Sequence, residues 1–205
     1  MSSPRRPRRP AQIDPEQVEY LTGEPDPAFS SELAHASAQA LLPTGDRQAV
    51  EPEVRTRILA LVAEEGVDGI AESWVRAPAD TLPGALWRGY LLREWIRREP
   101  EEVARRYGAA VKIAEAAEVD GRPTSPAQIK QGWDRVLAGK GHENFAGLLR
   151  DSAEFADVIG GLEAVWIASD RHELATEVTR RDEALLATAR ELAVAAKGYA
   201  EGVLD

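Results

Sequence analysis

The side chain best placed to do chemistry in this 205-residue chain is the carboxylate of Glu163. It is the one charged residue between Asp157 and Asp170, and eighteen positions separate it from Phe145. Eighteen residues make five helical turns, so a continuous helix puts Glu163 in line with Phe145, on a strip with Ser152, Ala156 and Ile159. Desolvation there raises a carboxyl pKa unless a cation or hydrogen-bond donors compensate. Two chemistries follow. One is a ligand-facing or general-acid carboxylate in a pocket shared with Trp166 and the Trp-bearing segment around Trp87 and Trp95. The other is a buried ion pair with Arg88, which is the expectation here because structural pairs also perturb titration.

The remaining constellations are weaker. Glu32-Leu-Ala-His35 has the spacing that sets two metal ligands on one helical face, but a di-metal bundle needs that motif twice. His142 and His172 have no Glu three residues before them, so no metal or other cofactor is expected. Gly139-Lys140-Gly141 invites a phosphate-loop reading, yet that loop needs glycine at position 134, where Asp134 stands. A helix C-cap turn is the expectation. Glu101 to Gly108 resembles the first half of a helix-turn-helix, with Val103, Ala104, Tyr107 and Gly108 at its small and apolar positions. The segment that would read DNA, 109–119, carries Glu115 and Glu118 and offers little to phosphates or bases. No Gly-x-Ser-x-Gly elbow occurs, and there is no cysteine, so thiolate chemistry and disulfides are excluded. No catalytic residue is assigned.

These residues need helices to position them. Leu82 to Pro100 carries Trp87, Leu91 and Trp95 at four-residue spacing beside Leu82, Leu86 and Tyr90. Its rows cover most of a helix circumference, leaving Gly89, Arg93, Glu94 and Arg97 as the expected wet strip and the helix as a buried spine. Other helices are expected from Pro27 to Leu41 (face Phe29, Leu33, Ala36), from Pro52 (stripe Val54, Ile58, Leu61, Val62), over 67–76, from Pro100, from Ser125 to Ala138, and from Phe145 to Trp166. The pair Gly160-Gly161 in the last of these costs about 1–2 kcal/mol in a helix, which predicts close helix approach or a kink. A final helix from about Asp170 carries Val178, Leu185, Leu192 and Tyr199 every seven residues. That seam suits packing within the chain, or a homo-oligomer. No segment alternates like a strand.

The fold class is therefore all-α: one multi-helix domain over 27–205, of seven or eight helices, with a loop at 120–126 between two helical groups. Residues 1–26 form an arm expected to be disordered, first basic (Arg5, Arg6, Arg8, Arg9) and then acidic. The net charge of −10 disfavours a surface attractive to nucleic acid, and no apolar run approaches a membrane span or a secretory signal. Cytoplasmic location is the default, and 21 Arg against 4 Lys suggests a GC-rich bacterial genome. The expected role is non-catalytic: an interaction or regulatory protein with an unknown protein partner. The alternatives are a nucleic-acid factor using the arginine arm, and a small-molecule-binding or hydrolytic protein with a pocket at Glu163.

Overall fold

The computed structural model describes residues 27–43, 50–118, 122–162 and 175–204, with side chains omitted at 27–29, 142 and 175–181. Within them every regular element is helical. In chain order these are α1 (Pro27–Leu41), α2 (Pro52–Glu65), α3 (Asp68–Ala71) with a 3₁₀ turn (Glu72–Trp74), α4 (Leu82–Arg98), α5 (Pro100–Ala116) and α6 (Pro126–Leu137). A second 3₁₀ turn (His142–Asn144), α7 (Phe145–Gly160) and α8 (Ala175–Glu201) complete the order. No helix among the described residues is long and apolar enough to cross a membrane.

Local chemistry sets most of the ends. Thr81, in extended conformation, accepts the Gly84 N–H at 3.2 Å and starts α4. Pro100 ends that helix and opens the next, with Glu101 and Glu102 in the first turn, where the helix dipole favours carboxylates. α5 then continues through Gly108 to Ala116. A helix-turn-helix would turn at Gly108, so that pattern carries no such motif here. Ser125 builds a capping box with Gln128 at the start of α6. Ser125→Ala is expected to cost about 1 kcal/mol, read as a lower urea midpoint at unchanged m-value. At the other end Gly139 takes φ +71° and the Lys140 N–H reaches the Arg135 carbonyl at 2.8 Å. Gly139-Lys140-Gly141 is thus a helix C-cap turn.

α4 is the hub, touching α1, α3, the first 3₁₀ turn, α5, α6 and α8, while α7 and α8 form the most extensive helix pair. Leu82, Leu86, Leu92 and Ile96 of α4 join Trp74, Trp133, Phe145, Phe155, Ile159 and Leu192 in one core. Trp133 donates from Nε1 to Ser152 Oγ at 2.9 Å and meets Phe145 edge-on at 5.9 Å. Phe145 in turn meets Tyr199 at 5.0 Å. Trp74 donates to Ser37 Oγ at 2.9 Å, so Trp74 and Trp133, each fully buried, satisfy their indole N–H.

Gly160 and Gly161 both approach and break. A Cβ on Gly160 would lie 3.1 Å from Leu185 Cβ and 3.2 Å from the Asp182 carbonyl, so α8 crosses tightly there. α7 ends at Gly160 rather than running to Trp166. The seam residues Leu185, Ala189, Leu192 and Ala196 are buried, and α7 of the same chain packs against α8. Arg106 locks α5 to α8, donating to Asp182 Oδ1 at 2.5 Å and to Glu102 Oε1 at 2.8 Å. Burial alone would lower its pKa, but those two bonds outweigh it and raise it.

Three faces turn differently from the expectation. α1 buries Ala34, Ser37, Ala38 and Leu41 and leaves Leu33 exposed. α2 buries no side chain fully, and Val54 and Leu61 face solvent. On α4, Gly89 and Glu94 are buried instead of wet. The physical reason is neighbours: Trp133 of α6 lies directly over Gly89, closing the side on which α4 carries no side chain.

Candidate interaction site on the fourth helix

With Leu82, Leu86, Gly89, Leu92 and Ile96 facing the core, the helical period dictates what faces out. Trp87, Leu91 and Trp95 fall on the opposite strip, and Arg98 continues it three residues on. Leu91 is 43% exposed, and Trp87 and Trp95 are half-buried. Sequence spacing predicts both rows buried; Leu91 is the exception, while Trp87 and Trp95 pack partly buried against the core. Trp87 stacks on Tyr90 with centroids 5.6 Å apart, and the Tyr90 hydroxyl donates to Asp68 Oδ1 at 3.1 Å. Burial, then that carboxylate, push the Tyr90 pKa up. Trp95 Nε1 donates to Glu99 Oε2 at 3.3 Å. Each ring is thereby held in place.

Arg88 bounds the strip on one side. Its Nε donates to Glu191 Oε2 at 2.6 Å, and its Nη1 to the carbonyls of Gly84 at 3.0 Å and Ala77 at 3.3 Å. The carboxylate that Arg88 meets is therefore Glu191 of α8. Its contacts tie the 77–80 loop, the first turn of α4 and α8 together, which is a positioning role. Glu163 and Trp166 lie outside the described residues, as do Arg5, Arg6, Arg8 and Arg9.

Glu94 is the site residue that sequence reasoning missed. Its side chain is 8% exposed, and Arg93, Arg97 and Arg98 all converge on it. Arg97 donates to Oε2 at 2.7 Å and Arg98 to the same oxygen at 3.0 Å. The Arg97 hydrogen bonds, more than the burial that opposes them, lower the Glu94 pKa to about 2. Arg93 also donates to Asp134 at 2.7 Å, and Lys130 shares that carboxylate at 2.6 Å. Burial would raise the Asp134 pKa, but the Lys130 and Arg93 bonds bring it down. A signal existed in the sequence: Glu94 stands three and four residues before Arg97 and Arg98, the favourable order on a helix. Its burial had none.

A concavity of about 480 Å³ lies between α6 and α7, lined by residues including Gln128, Gln131, Arg135, Asn144 and Asp151. It opens at the start of α7. None of its polar side chains is fully buried, so no group there is desolvated for acid–base work. His35 uses Nδ1 on the Ser31 carbonyl at 2.9 Å. Among the described residues no three His, Asp or Glu side chains gather as a metal site, and every buried side-chain N or O has a partner. No family model, curated protein or solved structure matches the chain.

Proposed function

We propose that the protein works by holding a partner protein, as an interaction or regulatory module, with the outward strip of α4 as its docking face. One observation carries this reading: Leu91 is exposed in line with the half-buried Trp87 and Trp95, which pack against the edge of the core. Aromatic side chains and arginine are the residues enriched at the centres of protein interfaces. The strip is also rigid, since α4 is clamped by six neighbouring elements and its rings are stacked or hydrogen-bonded. Little ordering entropy is then lost on association.

The test is site-specific photocrosslinking in the native cell. A benzoylphenylalanine replacing Leu91 is expected to yield a discrete protein adduct on irradiation. The same group replacing Ala104, exposed on α5, is expected to yield none. Equal labelling from both positions, or none from position 91, would sink the docking reading. Leu91→Ser should leave stability within about 1 kcal/mol while abolishing partner recovery, because an exposed side chain contributes little to the fold.

A further inference from the structure

The geometry points to a small-molecule site in the concavity between α6 and α7, taking a free amino acid with an apolar side chain. Arg135 and Asn144 would hold its carboxylate, and Asp151 and Gln131 its ammonium. The site is independent of the docking face on α4. It arises where the two helices meet beyond the short 138–144 connection. Leu148 of α7 lies over Gly132 of α6, where a Cβ would stand 2.5 Å from Leu148 Cδ1. Trp133 and Ser152, bonded to one another, close the core side of the same contact. Gly132 falls between Gln128 and Arg135 at helical spacing, as Leu148 does between Asn144 and Asp151. The polar side chains therefore line both walls of a space of about 480 Å³, with fully buried Ile129 and half-buried Leu148 as its apolar part. A volume of that order holds a small molecule.

The first support is that both signs of charge reach this space uncommitted. Among the described residues, Arg135 and Asp151 make no ion pair, with each other or elsewhere, although they line one concavity from two helices. The side-chain amides of Gln131 and Asn144 likewise make no hydrogen bond to a described residue. Their neighbours differ: Lys130 and Arg93 converge on Asp134, Arg122 reaches Glu115, and Gln128 accepts from Ser125. Glu143 is exposed at the rim, and Lys140 and Arg150 flank the space without lining it. A ligand carrying one charge of each sign matches Arg135 and Asp151 whatever the net charge of that surround.

The second support is direction. Arg135 stands near the end of α6 and Asn144 just before α7, so both sit beside the connection. Gln131 and Asp151 lie further along their helices, by about 6 and 10 Å of rise respectively. Side chains on a helix lean toward its N-terminus. Arg135 therefore leans away from the connection and Asp151 toward it, and the two converge on one occupant. A guanidinium presents a planar fork that suits a carboxylate, and the Asn144 amide adds N–H donors at the same end. An ammonium has three N–H donors, which the Asp151 carboxylate and the Gln131 amide oxygen accept. Ile129 and Leu148 are left to meet an apolar side chain. Because no polar lining group is fully buried, the site suits binding and release rather than proton transfer.

The experiment titrates the full chain, labelled for amide shifts, with L-leucine, N-acetyl-L-leucine and L-leucinamide. The acetylated form lacks the ammonium, and the amide lacks the carboxylate. Leucine is expected to bind with a Kd of about 1 mM or tighter and to move the amides of 128–135 and 144–151. Each blocked form is expected to bind about tenfold or more weakly, since one lining charge then meets no partner. Arg135→Ala should remove the preference for leucine over leucinamide, and Asp151→Ala the preference over N-acetyl-leucine. Both variants should keep the native spectrum elsewhere, because neither side chain is bonded to the fold. Blocked forms that bind as tightly as leucine overturn the zwitterion assignment. Shifts from none of the three at about 50 mM overturn the site itself. Either result leaves crosslinking from position 91, and with it the docking reading, untouched.

Discussion

Gly89→Ala is expected to lower the unfolding free energy by about 2–3 kcal/mol, although alanine is the better helix former by about 1 kcal/mol. The added methyl would overlap the six-membered ring of Trp133. That ring has nowhere to go: it is fully buried, bonded to Ser152 and set edge-on against Phe145. Moving it means moving α6 off α4, and interiors packed this densely yield little. Trp133→Leu alone should cost about 3 kcal/mol, from lost area and the void it leaves. The two changes are expected to be far from additive, because the smaller side chain makes room for the methyl. In the Trp133→Leu background Gly89→Ala should cost nothing, or stabilise slightly. Chemical denaturation of the four proteins gives the coupling directly. Costs that simply add would show that something other than Trp133 limits residue 89.

Stability is also expected to fall steeply in acid through Glu94. Its folded pKa is depressed, from an ordinary 4.5 to about 2. A group of that kind contributes its full stabilisation above the unfolded value and loses it as pH falls toward the folded one. The window is therefore from about pH 4.5 down to about 2. A shift of this size corresponds to roughly 3 kcal/mol, discounted to about 2 because solvent screens Arg97 and Arg98. Glu94→Gln should remove about that amount at neutral pH and flatten this part of the stability profile. Asp134 and Glu102, also held below their usual range, contribute to the remaining acid dependence. Urea midpoints from pH 7 to 2.5 for the two proteins decide it, and parallel profiles would exclude Glu94 as the titrating group.

Much of the fold was legible because local rules wrote it. Thr81, Pro100 and Ser125 start helices through caps and fixed backbone angles, which need no distant partner. The seam of α8 and the close approach at Gly160 also followed from spacing alone, since Leu185, Ala189 and Leu192 define one side of any helix built from them. Which side of a helix faces inward was harder wherever apolar residues are too many or too weakly grouped. On α1 small residues, Ala34 and Ala38, are buried and the larger Leu33 is not. On α2 the stripe is real but lies at the rim of the molecule, where only Ile58, Leu59 and Val62 find partial cover.

For the candidate site the division is sharper. By itself the sequence determined that residues 82–98 form a helix, that it is apolar on more than one side, and that arginines crowd its C-terminal end. It could not choose between two rows, because Leu82–Leu86–Tyr90 and Trp87–Leu91–Trp95 are about equally able to cover a core. Only the tertiary structure decided. Trp133 needs a surface without a side chain, Gly89 is the place on α4 that supplies one, and docking them fixes the rotation of the whole helix. That rotation turns Leu91 to the solvent and carries Glu94 beneath its arginines. Helical periodicity constrains which residues travel together, but the direction they face is a property of the neighbour they meet.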